Sequence, residues 1–241
     1  MSVLIVIPAR YKSSRFLGKP LKKILNKELI FWVLEKCKKV CKKNINLLVA
    51  TDDKRIFNKV RGENYKAVMT SKKCLTGTDR VAEVSKKINA KIYINVQGDE
   101  PLVKVKDIKK IIKAKLKFPG KIICGYTYLG RTENPLNINI PKLVVNSKDE
   151  LIYISRSSIP ASKMYKKNKY YLKQVCVYAY SKQELNLFYS NKKTPLEKLE
   201  DIEILRFLEK GAKIQMVKLS SGSHAVDKKS DIKIVEKILR K

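Results

Sequence analysis

The sequence predicts an α/β fold with a parallel sheet, and three observations carry that expectation. Short β-rich runs alternate with stretches whose apolar residues recur at helical spacing. Ser/Thr-x-x-Glu boxes at Ser181 to Glu184 and Thr194 to Glu197 mark helix starts. A chain of 241 residues, 44% hydrophobic and 32% charged, is long and apolar enough for one large α/β domain.

The elements follow in order. Residues 3–7 form a strand, 29–43 a helix, 46–50 a strand, a helix runs from about Asp53, 67–69 form a strand, a helix runs from Thr78, and 91–97 form a strand. In the first helix Leu29, Ile30, Val33, Leu34, Cys37 and Cys41 recur on one face, so they and Trp32 are expected in the core. A helix over 105–116 and a strand over 122–127 come next. From 129 to about 170 the pattern loosens, with turn signals at Asn134-Pro135 and Ile140-Pro141 and two short strands at 142–146 and 151–155. This stretch reads as an excursion within a single domain spanning 1–241, and its apolar strands suit a dimer contact. A strand over 172–180, a helix opened at Ser181, a second opened at Thr194 and stopped at Gly211, a strand over 213–219 and a helix from about Ser230 close the chain.

Charge is the strongest compositional feature: 54 Lys and Arg against 22 Asp and Glu leave +32. That balance suggests a polyanion-binding protein. The excess is mostly lysine spread along the whole chain, which fits a solvated basic surface better and still attracts small anionic substrates. Sequence-specific nucleic-acid binding is therefore not expected. The five cysteines show no C-x-x-C spacing and His224 is the only histidine, which disfavours a thiolate-imidazole zinc site and Ser-His-Asp or Cys-His chemistry. No apolar run approaches the ~18 residues of a membrane span. The apolar start at 3–8 lacks a basic flank, so the expectation is a cytoplasmic protein without membrane insertion.

Two segments carry chemistry. The first strand runs into a loop, 8–20, holding Arg10, Lys12, Ser13, Ser14, Arg15, Gly18 and Lys19 at the end of the sheet where open α/β folds bind ligands. Its cations and backbone N–H groups suit a triphosphate. A solvated basic turn is the competing reading. The strand at 91–97 ends in Gly98-Asp99-Glu100-Pro101, placing a carboxylate at the same edge. A carboxylate facing phosphate-binding cations suggests Mg²⁺, against the plainer alternative of an ordinary Asp-Glu-Pro turn.

Taken together these segments resemble the 3-deoxy-manno-octulosonate (Kdo) cytidylyltransferases. The likeness rests on the basic loop at 7–21, A-T-D-D at 50–53, M-T-S at 69–71, T-G-T-D-R at 76–80, N-V-Q-G-D-E-P at 95–101, S-R-S-S-I-P at 155–160, P-L-E-K-L-E-D-I-E-I-L-R at 195–206 and A-V-D at 225–227. They occur in family order over nearly the whole chain. The resemblance implies a Rossmann-like nucleotide-diphospho-sugar transferase (GT-A-like) fold with a mixed central sheet, usually dimeric. It also implies a reaction in which the anomeric hydroxyl of the sugar acid attacks the α-phosphorus of CTP and pyrophosphate leaves, for lipopolysaccharide or capsule synthesis.

The same resemblance assigns roles. Arg10, Ser14, Arg15, Lys19, Thr76 and Gly77 would bind CTP, and Asp99 and Asp227 would hold Mg²⁺, with Lys19, Asp99 and Asp227 at the catalytic centre. Arg80, Gln97, Arg156, Gln174, Tyr178 and Glu203 fall at sugar-binding positions. The residues themselves leave alternatives open. Glu203 interrupts an apolar stripe between Leu199 and Phe207 and is either functional or paired with Arg206 at i+3; Arg156 competes with a strand-end cap, Tyr178 with simple core, and His224 with a solvated loop residue. Two departures stand out: Leu17 replaces the family's proline before Gly18-Lys19-Pro20, and Gln174 stands where the family carries a sugar-contacting histidine. The reaction is thus more firmly indicated than the sugar, with 8-amino-Kdo an alternative acceptor and non-catalytic polyanion binding the alternative class.

Overall fold

Strand β1 (Val3–Ala9) is buried at every position, as expected of a strand covered on both faces. A 3-10 turn (Lys19–Leu21) and a small hairpin, β2 (Lys23–Ile24) and β3 (Lys27–Glu28), lead into α1 (Leu29–Lys38), β4 (Ile45–Thr51), α2 (Lys54–Gly62), β5 (Ala67–Met69), α3 (Gly77–Lys87) and β6 (Ile92–Val96). Then follow α4 (Val105–Lys117), β7 (Ile122–Tyr128), β8 (Lys142–Val145), β9 (Leu151–Ser155), β10 (Leu172–Tyr180) and α5 (Lys182–Phe188). The chain closes with α6 (Pro195–Glu200), α7 (Leu205–Glu209), β11 (Ile214–Lys218) and α8 (Lys229–Leu239). The computed structural model describes residues 2–12, 16–130, 133–161, 170–189, 192–220 and 224–240.

Among the described residues the main sheet has nine strands, with the path β11-β7-β10-β6-β1-β4-β5 and β8 and β9 joined to it at β10. Strand β1 runs parallel to both β4 and β6, whereas β10 is antiparallel to β6 and β7. The sheet is therefore mixed. Because the chain leaves β1 for β4 on one side and reaches β6 on the other, a crevice opens at the carboxyl ends of β1 and β6.

Two cores cover the sheet faces. One gathers Ile30, Val33 and Leu34 of α1 with Ile108 and Ile111 of α4 over Ile5 and Ile7. The other packs Val81 and Val84 of α3 with Leu185, Phe188, Leu205 and Phe207 over Val6 and Tyr93. A third, small cluster of Ile24, Leu29, Val226 and Val235 pins α8 to the β2–β3 hairpin. Trp32 packs at the edge of that small cluster.

Three sequence expectations are corrected. The first helix ends at Lys38 and not at 43, because Val40 N–H bonds to Cys37 and Cys41 N–H to Lys38, a tighter turn that buries Val40 and leaves Cys41 outside the helix. The helix expected from Thr194 to Gly211 is two helices, broken where Asp201 adopts φ 48°; the break turns Ile202 and Ile204 into the core while Leu199 stays 81% exposed. The strands expected in the excursion form, but β8 pairs with β10 through Leu143 and Leu172, so they extend the main sheet and do not depart from it.

Candidate active site

A cavity of about 700 Å³ occupies the crevice. Every site residue expected from the sequence lines it except Ser14 and Arg15, which lie outside the described residues.

At one end Lys19 meets two carboxylates. Its Nζ lies 2.6 Å from Asp99 Oδ2 and 3.8 Å from Asp227 Oδ1. Asp99 follows β6 on a turn where Gly98 is required by close approach, since a Cβ there would sit 2.9 Å from the Pro8 carbonyl. Asp227 is brought alongside by the backbone: Val226 N–H donates to the Asp99 carbonyl at 2.9 Å, and the buried Val226 side chain is held in the third core cluster. Asp231 accepts the Asp227 and Lys228 amides at 2.8 and 2.7 Å, fixing this segment to the start of α8. His224 Nε2 is 3.8 Å from the other Asp231 oxygen.

The N-terminus of α3 forms a second wall. Thr76 caps the helix in a reciprocal box, its hydroxyl accepting from Asp79 N–H at 3.1 Å while Asp79 Oδ2 accepts from Thr76 N–H at 2.9 Å. Asp79 is in turn held by Arg206, whose guanidinium is completely buried between Asp79 and Glu197, at 2.6 Å from each. Glu203 is thus not paired with Arg206. It sits in the break between α6 and α7 and accepts from Thr78 N–H at 2.8 Å and from Gln97 Nε2 at 2.9 Å. Burial pushes the Glu203 carboxyl up, against the pull of its Thr78 and Thr76 bonds. Gly77 makes the Gln97 contact possible, because a Cβ at that position would lie 2.8 Å from the Gln97 amide nitrogen.

The far wall is basic and tightly tied. Arg80 is buried and donates to Thr70 Oγ1 and, at 3.1 Å, to Asp52. The Arg156 guanidinium donates to the carbonyls of Glu200, Ile138 and Asp201, which ties the end of α6 to the 133–141 loop and caps no strand. Tyr178 is buried and stacks 6.0 Å from Tyr180, and burial pushes its phenol well up. Gln174 Nε2 reaches Cys124 Sγ at 3.5 Å. Beside it Lys173 pairs with Glu133 at 2.5 Å. Arg10 stands exposed at the mouth.

A cytidylyltransferase family profile matches residues 4–214. The chain is 35% identical to the mitochondrial 3-deoxy-manno-octulosonate cytidylyltransferase of Arabidopsis thaliana, covering 99% of this chain and 83% of that one. It is 37% identical to the 3-deoxy-manno-octulosonate cytidylyltransferase of Protochlamydia amoebophila, covering 99% and 95%. The chain belongs to the 3-deoxy-manno-octulosonate cytidylyltransferase family. The solved structure of a CMP:2-keto-3-deoxy-manno-octonic acid synthetase complexed with CTP superposes with a TM-score of 0.90 at 33% identity, covering 100% of this chain and 99% of that one. An 8-amino-3,8-dideoxy-manno-octulosonate cytidylyltransferase of Shewanella baltica is 36% identical over 99% of both chains.

As a cytidylyltransferase, the chain presents a donor set that fits Mg²⁺. Two carboxylates already converge on one cation, and Mg²⁺ is held by one or two carboxylates with substrate phosphates and water completing its shell. Among the described residues no group of three or more His, Cys, Asp or Glu could hold a metal ion. Sequence reasoning missed the residues behind the walls: Asp52 and Thr70 under Arg80, Thr78 at Glu203, and the Asp79, Arg206 and Glu197 trio. The Thr76-x-x-Asp79 and Thr194-x-x-Glu197 capping patterns were the local signals for two of them, Asp79 and Glu197.

Proposed function

We propose that this chain transfers CMP from CTP to the anomeric hydroxyl of Kdo, releasing pyrophosphate, in a Mg²⁺-dependent reaction that supplies CMP-Kdo for lipopolysaccharide or capsule. The observation that carries the reading is the convergence of Asp99, Asp227 and Lys19 at one end of a single cavity whose other walls carry Gln97, Glu203 and Arg80. Lys19, Arg10 and Arg15 would hold the triphosphate, and the capped start of α3 at Thr76 and Gly77 would frame the nucleotide. Mg²⁺, when bound at Asp99 and Asp227, would neutralise charge on the phosphates and make the sugar hydroxyl a better nucleophile.

The chain's own side chains orient the acceptor. Arg80 is fixed by Asp52 and Thr70, a pre-organised cation for a sugar carboxylate. Gln97 and Glu203 present a coupled amide and carboxylate to the sugar hydroxyls. Arg156, Gln174 and Tyr178 complete the sugar wall, with Arg156 acting largely through the loops it ties. The exposed Ile152 on β9 suits a homodimer contact, which sedimentation at high concentration checks. Among the described residues no helix is long and apolar enough to cross a membrane.

The test is pyrophosphate release from CTP with Kdo or related acids, with and without Mg²⁺. Release that requires both Kdo and Mg²⁺ is expected; release with neither acid, or none under any condition, overturns the reading. A second acceptor, 8-amino-Kdo, is favoured by Gln174, whose amide can bond an amine or a hydroxyl, and by the Shewanella baltica relative.

A further inference from the structure

We propose that Lys19 is a placeholder for the metal: its ammonium holds Asp99 and Asp227 until a triphosphate takes it over, so that metal binding is conditional on the nucleotide. The inference rests on the proposed metal role of those two aspartates and adds an order of events to it.

The geometry separates what is fixed from what can move. Both carboxylates are attached to backbone that is pinned, Asp99 through the Val226 amide and Asp227 through Asp231. Lys19 reaches them from the neighbouring 3-10 turn by a flexible four-carbon stem, which is the mobile partner. Its side chain is 13% exposed and theirs 26% and 29%, so the contact is partly withdrawn from water. Two carboxylates held this close repel one another, and the ammonium removes that repulsion.

Charge then decides what happens when a dication arrives. A dication held by Asp99 and Asp227 competes with the Lys19 ammonium for the same carboxylate oxygens, in a chain already at +32. Lys19 then gives way and turns to another anion. Asp231, the next carboxylate on the segment, is occupied with the Asp227 and Lys228 amides. A triphosphate entering the same cavity offers several oxygens to the ammonium at the moment the aspartates are released to the metal. Nucleotide and metal thus favour each other, and the favour is reciprocal.

A lysine that only binds phosphate makes a different forecast from one that also guards the aspartates. Mn²⁺ titration of the nucleotide-free protein, read by electron paramagnetic resonance, should show Lys19→Met and Lys19→Gln binding the ion at least about tenfold more tightly than wild type, within the range by which neighbours of metal ligands shift affinity. Calorimetry with CTP in excess EDTA should show the same proteins binding nucleotide at least about tenfold more weakly, the loss of one charge-assisted contact. Circular dichroism identifies the folded variants, and either substitution suffices for the comparison. Unchanged or weaker Mn²⁺ binding in the folded variants overturns the proposal while leaving the metal site standing. Adding Asp99→Asn to Lys19→Met should abolish the gain. If Asp99→Asn alters Mn²⁺ binding in no background, the metal assignment fails and takes the proposal with it.

Discussion

Gln97 donates its side-chain amide to Glu203 at 2.9 Å across 106 residues of chain, and the missing side chain of Gly77 is what gives that amide its place. The end of β6 and the break between α6 and α7 are thereby joined inside the cavity. Gly77→Ala puts a carbon 2.8 Å from the Gln97 nitrogen, so Gln97 must turn away and Glu203 loses a donor. The expected outcome is a raised KM for the sugar acid, with kcat/KM lower by about tenfold or more, the equivalent of a lost bond to a charged group. Gly62→Ala is the control. It meets nothing within 4 Å at the end of α2 and should stabilise the fold by about 0.4–1 kcal/mol with kinetics unchanged.

The metal role of Asp99 and Asp227 makes a kinetic forecast. Asp99→Asn or Asp227→Asn keeps the shape but removes a charge, and turnover at saturating Mg²⁺ should fall by at least about a hundredfold, since metal-held charge stabilisation is worth several kcal/mol. Wild-type turnover in either variant removes that residue from the metal site.

Glu203 gives a stability signature that depends on pH. Burial raises its carboxyl above the ordinary 4.5, so the native state holds this proton more tightly than the unfolded chain does. Stability from this group is therefore greatest at low pH and declines as pH rises from the unfolded value through the native one. Glu203→Gln removes the titration while paying a constant cost for altered bonds to Thr78. Measured by urea unfolding, the variant should gain on wild type as pH rises above the ordinary carboxyl value of 4.5. A stability difference that stays flat with pH contradicts the upward shift.

Arg206 is completely buried with Asp79 on one side and Glu197 on the other. Arg206→Met leaves both carboxylates without their cation and should cost about 3–5 kcal/mol in urea unfolding. Because Asp79 also closes the Thr76 box, the start of α3 should loosen, seen as faster amide exchange at residues 76–79. A loss below about 1 kcal/mol would mean that the trio is no stronger than a surface pair.

What the sequence made legible was local. The order of strands and helices, the Ser181 and Thr194 boxes, the basic loop and the Asp99 turn all depend on residues adjacent in the chain. The antiparallel sense of β10 was not readable from its own residues, because the side-chain pattern of a strand does not depend on whether its neighbours run parallel or antiparallel. Glu203 was placed on a continuous helix because Leu199, Glu203 and Phe207 share one spacing; the left-handed Asp201 and the outward Leu199 break that stripe. Arg206 was offered Glu203 as a neighbour three residues away, yet its partners are Glu197, nine residues back, and Asp79, 127 residues back. Family likeness reached Arg80 and Arg156, whereas the contacts that immobilise them come from the turns just after β4 and β5, the 133–141 loop and the end of α6, which no local pattern announces.

The sugar itself turns on Gln174. Its amide lies on the cavity wall, 3.5 Å from the Cys124 sulfur, and burial pushes that thiol up to about 12, so the amide's neighbour is neutral and a weak partner. A neutral amide offers donors and an acceptor but no positive charge, so it can bond a hydroxyl or an amine while lending less to a carboxylate than a protonated histidine. Arg80, a fixed cation in the same cavity, can supply the charge that Gln174 does not. Kdo should therefore remain a substrate, with Gln174 setting discrimination among sugar acids by roughly 1–3 kcal/mol, the size of one buried bond left unmade. Values of kcat/KM for Kdo and 8-amino-Kdo in wild type, Gln174→His and Gln174→Ala decide it. The ratio should move toward Kdo in the histidine variant, whose charge favours an anion and repels an ammonium, and both substrates should weaken in the alanine variant. Identical ratios in all three proteins would show that Gln174 does not read the sugar.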